Sequence, residues 1–194
     1  DYSLVNYLND DGFSIEPSFY VPVLPLILIN GACGIGTGFS TDIPCFNPED
    51  LKDRLLKLVD DEDADIPEHT PWYKGFTGTI DKVEENRWVS RGVYKIVSNT
   101  VTITELPIGT WTEDYKSLLD KLETDEQIYS YKNMSSETDV HFEVKIPLEN
   151  IINWRDNKEL DKKLKMTSYI SAKNMHVFNE KNETIRINEP IGKF

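Results

Sequence analysis

One stretch constrains this chain more than any other: Leu28-Ile-Asn-Gly-Ala-Cys-Gly-Ile-Gly-Thr-Gly-Phe-Ser40. Glycines at positions 31, 34, 36 and 38 free the backbone for positive φ and remove the side chains that would hold another molecule away from the main chain. Ile35 is the large apolar side chain set among them. The preceding run, Phe19-Tyr-Val-Pro-Val-Leu-Pro-Leu-Ile-Leu-Ile29, is too short to span a membrane and too β-branched to favour a helix, so it reads as an extended, buried lead-in. A nucleotide-phosphate cradle fails on spacing: Gly34-x-Gly36-x-Gly38 lacks the last glycine of GxGxxG, no Lys-Ser/Thr pair follows, and Ile43-Pro44 does not open a helix. Two readings stay open. One is a glycine-rich turn that lets two layers pack closely. The other is a nucleic-acid contact in which backbone amides and the hydroxyls of Thr37 and Ser40 hold phosphates while Ile35 wedges between bases.

Charge speaks against the second reading. A net charge of −13 and a pI near 4.6 should repel a polyanion, and residues 1–50 contain no Lys or Arg. The acids, however, concentrate in Asp60-Asp-Glu-Asp-Ala-Asp65 and around residues 123–126, runs that read as solvated loops able to point away from a DNA surface. A hydrophobic fraction of 39% with 11% aromatics is that of a chain that folds. No charged n-region followed by an apolar h-region opens it, so a protein that is neither secreted nor membrane-inserted is expected. Cys33 and Cys45 are too few for a disulfide framework and have no paired histidines at zinc spacing, so they read as free small residues.

Along the chain, residues 1–12 read as a short helix fragment ending at Asp10-Asp-Gly12. Asn47-Pro48-Glu49-Asp50 is a helix start, with an Asn cap, Pro in the first turn and acids at the positive end of the dipole; Leu51, Leu55, Leu58 and Val59 should form its buried stripe. Strands are expected over residues 73–80, 86–90, 92–97, 100–105, 128–134, 140–146, 167–172, 175–178 and 184–187. A second helix should begin at Thr112 as cap and run to about Thr124. A third should follow Pro147, with Leu148, Ile151, Ile152, Leu160 and Leu164 facing inward. The fold class is therefore α+β, mostly antiparallel sheet with about three interspersed helices.

His69, His141 and His176 stand in unrelated contexts and read as structural or solvent-facing. The acidic run at 60–65 lacks the alternation and closing Glu of a calcium loop, so no metal ligand is assigned. Trp111, placed just before a helix start, reads on its own as a core anchor filling a strand-to-helix corner.

Three blocks carry a resemblance. Glu16-Pro17-x-Phe-Tyr-x-Pro22-x-x-Pro25-x-x-Leu28-Ile-Asn30-Gly31-Ala32-x-Gly34-Ile35-Gly36-Thr37-Gly38-Phe-Ser40 resembles a segment of eukaryotic-type type IIA DNA topoisomerases. Ile103-Thr-Glu-Leu-Pro107-Ile-Gly-Thr110-Trp111-Thr112 resembles the Glu-Leu-Pro-x-x-Thr-Trp-Thr motif of the same family, and Lys74-Gly-Phe-x-Gly78-Thr-Ile80 resembles a third block between them.

The resemblance implies that residues 1–46 are the segment leaving the winged-helix domain, carrying the wedge loop, and that 47–194 are the tower domain, with residues 191–194 shortly before a coiled-coil arm. It implies that Ile35 intercalates and bends double-stranded DNA, and that Asn30, Gly34, Gly36, Thr37, Ser40 and Trp111 touch it. The parent enzyme would cut one duplex through paired tyrosines, pass another and reseal, using ATP and Mg²⁺ bound elsewhere. It would be a homodimer, working in the nucleus if cellular or at the host-cell site of viral DNA replication if it comes from a large DNA virus. The start looks cut: the family's Arg-Tyr nucleophile motif is expected upstream, and no Arg-Tyr pair occurs here. Three positions depart from the family: many relatives have Arg at Gly109, and Glu and Trp are usual where Cys33 and Phe39 stand. The alternative from another class is a non-enzymatic acidic interaction module whose glycine-rich loop binds a partner's backbone.

Overall fold

The computed structural model describes residues 3, 5–20, 22–61, 64, 68–178 and 183–187. All of its strand pairs are antiparallel, and five helices are interspersed among them, two more than the sequence pattern predicts.

The chain opens with a hairpin of β1 (Tyr7–Asp10) and β2 (Phe13–Pro17), not with the expected helix. The reason is local: Asp11 and Gly12 both have positive φ (47° and 85°), the pair of left-handed residues that a tight two-residue hairpin turn demands. Residues 1, 2 and 4 of that expected helix lie outside the described residues.

The lead-in is not a buried extended strand either. Pro25 starts the short helix α1 (Leu26–Asn30), which Gly31 ends at φ 66°. Among the described residues of this stretch, only Leu28 and Ile29 pack against a core, while Phe19, Tyr20, Val23, Leu26 and Ile27 are exposed.

Next comes the hairpin β3 (Ala32–Gly36) and β4 (Phe39–Ile43), then α2 (Pro48–Asp60), which begins as its sequence predicts. Asn47 Oδ1 accepts from the Glu49 amide at 3.0 Å. Asn47→Ala should therefore lower stability by about 0.5–2 kcal/mol, read as a lower urea midpoint at unchanged slope. The buried face of α2 is narrower than the apolar stripe. Leu51 is fully buried, Leu55 and Leu58 only partly, Val59 in the last turn is exposed, and Arg54 takes the remaining inward position.

Beyond α2, β5 (Thr79–Glu84) and β6 (Arg87–Arg91) pair across Glu85-Asn86, with Asn86 at φ 55°. Residues 73–78, expected as strand, form a turn instead. Gly75 has positive φ, and Gly78 runs so close to β6 that a Cβ there would lie 2.0 Å from the Arg91 carbonyl oxygen. The hairpin of β7 (Val93–Val97) and β8 (Thr100–Glu105) turns at Ser98-Asn99, as expected. α3 (Thr112–Thr124) begins at Thr112 with Trp111 as its cap residue, so Thr112 is the first helical residue, not the cap. β9 (Ser130–Asn133) and β10 (Phe142–Lys145) are shorter than their apolar patterns.

α4 (Leu148–Asp156) buries Ile151 and Trp154 and leaves Leu148 and Ile152 exposed, because only an i, i+3 face touches the sheet. α5 (Leu160–Lys163) buries Leu160 and is followed by buried Leu164. β11 (Thr167–Ser171), β12 (Met175–Phe178) and β13 (Thr184–Ile187) complete the described chain. The 191–194 end and part of the 60–65 acidic run lie outside the described residues.

Two cores result. The larger packs α3, α4 and α5 on one face of the four-stranded sheet β7-β8-β10-β9. Its register sets Ile103 opposite Phe142 and Val101 opposite Val144, so the inward alternation of the two central strands lines up, and Tyr115 meets Phe142 edge-on at 5.3 Å. The smaller gathers Ile43, Phe46, Leu51, Trp88, Ile170, Ala172 and Met175, joining the base of the β3–β4 hairpin to the sheet β11-β6-β5 and to β12. Among the described residues no helix is long and apolar enough to cross a membrane.

Candidate nucleic-acid interface

The glycine stretch is a hairpin, and its register decides where Ile35 points. Ile35 pairs with Ser40 and Gly36 with Phe39 across the turn Thr37-Gly38, which needs the positive φ of Gly38 (83°). Alternation puts Ala32, Gly34 and Gly36 on one face with Phe39, Thr41 and Ile43, and puts Ile35 on the other. The first face is the docked one. Ile43 enters the smaller core, Thr41 Oγ1 accepts from the His176 amide at 3.1 Å, and the Phe39 ring meets the His176 ring edge-on at 6.1 Å. Ile35 is left 92% exposed. Gly34 and Gly36 are not at positive φ as the sequence suggests; they lie in extended strand, and what they supply is room. A Cβ at Gly34 would meet nothing within 4 Å, so the backbone is uncovered at that point on the Thr41 face, opposite Ile35. Gly31 does different work, because a Cβ there would fall 2.6 Å from the Ile43 carbonyl oxygen.

Three further contacts fasten the hairpin to the same segment, some 134 residues further along the chain. Asn174 Nδ2 donates to Ser40 Oγ at 2.7 Å, the Asp42 amide donates to the Asn174 carbonyl at 2.7 Å, and His176 Nδ1 sits 2.8 Å from the Ser40 carbonyl oxygen. Ser40 thus has a structural partner as well as an exposed position, and Thr37 is exposed at the turn. Asn174 and His176 had no local signal in the sequence that tied them to this loop. His69, half-buried and held below the usual imidazole range first by burial and then by the Arg54 charge, is not among these contacts.

The second block forms a platform beside the hairpin base. Glu105 Oε2 accepts from the amide and hydroxyl of Thr77 at 3.1 and 2.9 Å, tying the Lys74 and Glu105 blocks together. The 107–110 turn is pinned from both sides: buried Ser90 accepts from the Ile108 amide at 3.0 Å, and the Ser168 hydroxyl donates to the Ile108 carbonyl at 2.6 Å. This turn ends at Trp111, whose side chain is 73% exposed, which overturns the core-anchor reading.

A cleft of about 390 Å³ separates hairpin base from platform, lined by Asn30, Cys33, Asp42, Cys45, Tyr73 and Gly109 among others. Asn30 and the 107–110 turn therefore face one another. Burial pushes the Tyr73 phenol up to about 12 and raises the Cys45 thiol, so both stay neutral at physiological pH. Cys45 Sγ also donates to the Asn30 carbonyl at 3.2 Å. This surface offers hydroxyls, amides and the exposed apolar side chains of Ile35, Phe39 and Trp111, and no cation from the hairpin itself. Among the described residues no group of three or more His, Cys, Asp or Glu side chains could hold a metal ion, so they do not fit Mg²⁺.

The family model for the A-type chain of DNA gyrase/topoisomerase IV matches residues 1–194. DNA topoisomerase 2 of Arabidopsis thaliana is 40% identical over 189 residues, covering 93% of this chain and 13% of that protein. DNA topoisomerase 2 of Pisum sativum is 41% identical over 187 residues, covering 92% of this chain and again 13% of the relative. In structure, the chain matches the Plasmodium falciparum topoisomerase II DNA-binding, cleavage and re-ligation domain with a TM-score of 0.84 at 37% identity, over 96% of this chain and 26% of that one. The chain thus spans about an eighth of the length of these curated relatives.

Proposed function

Since the chain belongs to the DNA gyrase/topoisomerase IV A-type family and resembles its eukaryotic DNA topoisomerase 2 members, we propose that it is the DNA-holding and DNA-bending part of a type II DNA topoisomerase. The observation that carries this reading is Ile35, an apolar side chain 92% exposed on a hairpin braced by Asn174 and His176. An isolated, rigidly held apolar side chain gains nothing in water. Between two base pairs it replaces lost stacking, and the few kcal/mol of unstacking per step are offset by the protein surface that a bent duplex reaches. Asn30, the backbone at Gly34 and Gly36, Thr37 and Ser40 would lie along the phosphates flanking the wedge, and Trp111 would touch the sugar-phosphate backbone from the platform. A wedge reads deformability rather than base edges, which suits an enzyme that acts at many sites.

In this reading residues 1–46 deliver the wedge and 47–194 form the tower, the two sharing the smaller core. The parent breaks one duplex, passes another and reseals, as a homodimer acting on DNA in the nucleus or at a site of viral replication. ATP and Mg²⁺ act at residues outside this chain. The exposed Phe19, Tyr20, Val23, Leu26 and Ile27 support contact with further parts of such a parent.

The test is fluorescence transfer between the ends of a short duplex, which should rise when the parent protein binds; an unbent bound duplex would overturn the proposal. The 194-residue chain alone, at −13, should bind duplex weakly and lose it by moderate salt. Submicromolar binding at physiological salt would contradict that expectation.

A further inference from the structure

The successive β4 residues 39–42 each meet the segment 174–176. The Phe39 ring and Thr41 Oγ1 meet His176, Ser40 takes both Asn174 Nδ2 and His176 Nδ1, and the Asp42 amide donates to the Asn174 carbonyl. Ser40, which receives both side-chain braces, is the residue directly across the ladder from Ile35. β12 is anchored to hold it there. Met175, between the two braces, is 1% exposed in the smaller core and pairs with Ile187 of β13, and strand alternation turns Asn174 and His176 to the other face, toward Ser40.

The hairpin has little stiffness of its own. β3 carries no side chain at Gly34 or Gly36, and an isolated two-stranded hairpin is marginally stable in water. A wedge that parts base pairs is pushed back by the stacking it breaks, so an unbraced tip would yield before the duplex did. The chemistry of the braces suits the load. A carbonyl oxygen only accepts, so His176 Nδ1 holds its proton toward Ser40, while Asn174 Nδ2 fixes the Ser40 hydroxyl oxygen as an acceptor.

We propose that Asn174 and His176 are positioning residues for DNA bending: they act through Ser40 on Ile35, holding the wedge so that the base stack opens instead of the hairpin giving way. The inference rests on the DNA-bending reading above and assigns two residues distant in sequence to the same step. The bond from the Asp42 amide to the Asn174 carbonyl joins two main chains, so it survives any side-chain change at 174 or 176. The braces can therefore be removed while β12 stays docked on β4.

The experiment compares the parent protein with His176→Phe, which keeps a ring beside Phe39 and loses the donor, with Asn174→Leu, which loses Nδ2 at similar size, and with the double variant. End-to-end fluorescence transfer at saturating protein reads the bent-to-straight ratio of a duplex of roughly 25 base pairs, and anisotropy reads its affinity. The double variant should keep a near-native melting temperature and shift the ratio about tenfold toward straight, the effect of two modest hydrogen bonds. Its affinity should fall by no more than that factor, because a straight complex does not use the wedge. Each single variant should shift the ratio about threefold, which keeps the test readable if the double variant does not fold. A single mismatched pair, moved step by step through the duplex centre, should restore bending where it meets the wedge, since a mismatched pair costs least to unstack. Native bending by the folded variants, or a loss that no mismatch position restores, overturns the proposal and leaves the wedge standing. A native parent that leaves the duplex straight overturns the DNA-bending reading and this inference with it.

Discussion

Ile35→Ala in the parent protein is expected to abolish most of the duplex bending and DNA cleavage while leaving the melting temperature of this region nearly unchanged. Both halves come from one number. A side chain 92% exposed contributes almost nothing to the folded core, so truncating it removes no buried area and leaves no cavity. The same truncation removes the wedge, and with it the apolar surface that offsets unstacking of the kinked step, a loss of a few kcal/mol at the point where the duplex must bend. The measurement is paired: thermal unfolding of the chain, and end-to-end fluorescence transfer with cleavage by the parent. A large fall in melting temperature with bending intact would return the hairpin to a packing role.

Trp88→Ala should behave in the opposite way. Trp88 is 1% exposed at the centre of the core that joins the hairpin base to β6, β11 and β12. Removing a buried indole typically costs about 3–5 kcal/mol through lost burial and the cavity left behind, which for a chain of this size lowers the melting temperature by roughly 6–20 °C. Bending should fail together with stability, because Ile43 loses the packing that holds the hairpin against β12. Trp88→Phe, which keeps an aromatic ring in the site, should retain most of both. Full bending by a Trp88→Ala protein at unchanged melting temperature would show that the hairpin is positioned without the smaller core.

Much of the framework was legible because its signals are local. The α2 start rests on Asn47-Pro48-Glu49-Asp50, the β7–β8 hairpin on its alternation around Ser98-Asn99, and α3 on the spacing of Tyr115, Leu119 and Leu122. Each is decided within a few residues by caps, turn geometry or periodicity. The misreadings have local causes too. Asp11-Gly12 is at once a helix-ending and a hairpin signal, and Pro25 starts a helix as readily as it interrupts a strand.

By itself, then, the sequence determined most of the element types from α2 onward, the three motif blocks and Ile35 as the candidate wedge, since caps, glycine spacing and apolar pattern are properties of neighbours in the chain. Only the tertiary structure decided which face of the hairpin is docked, that Asn174 and His176 hold it, that Ser90 and Ser168 grip the 107–110 turn, and that Trp111 stands in solvent rather than in the core. The physical reason is range: caps and turns act between near neighbours in the chain, whereas burial, bracing and the meeting of like charges depend on segments that folding brings together from far apart.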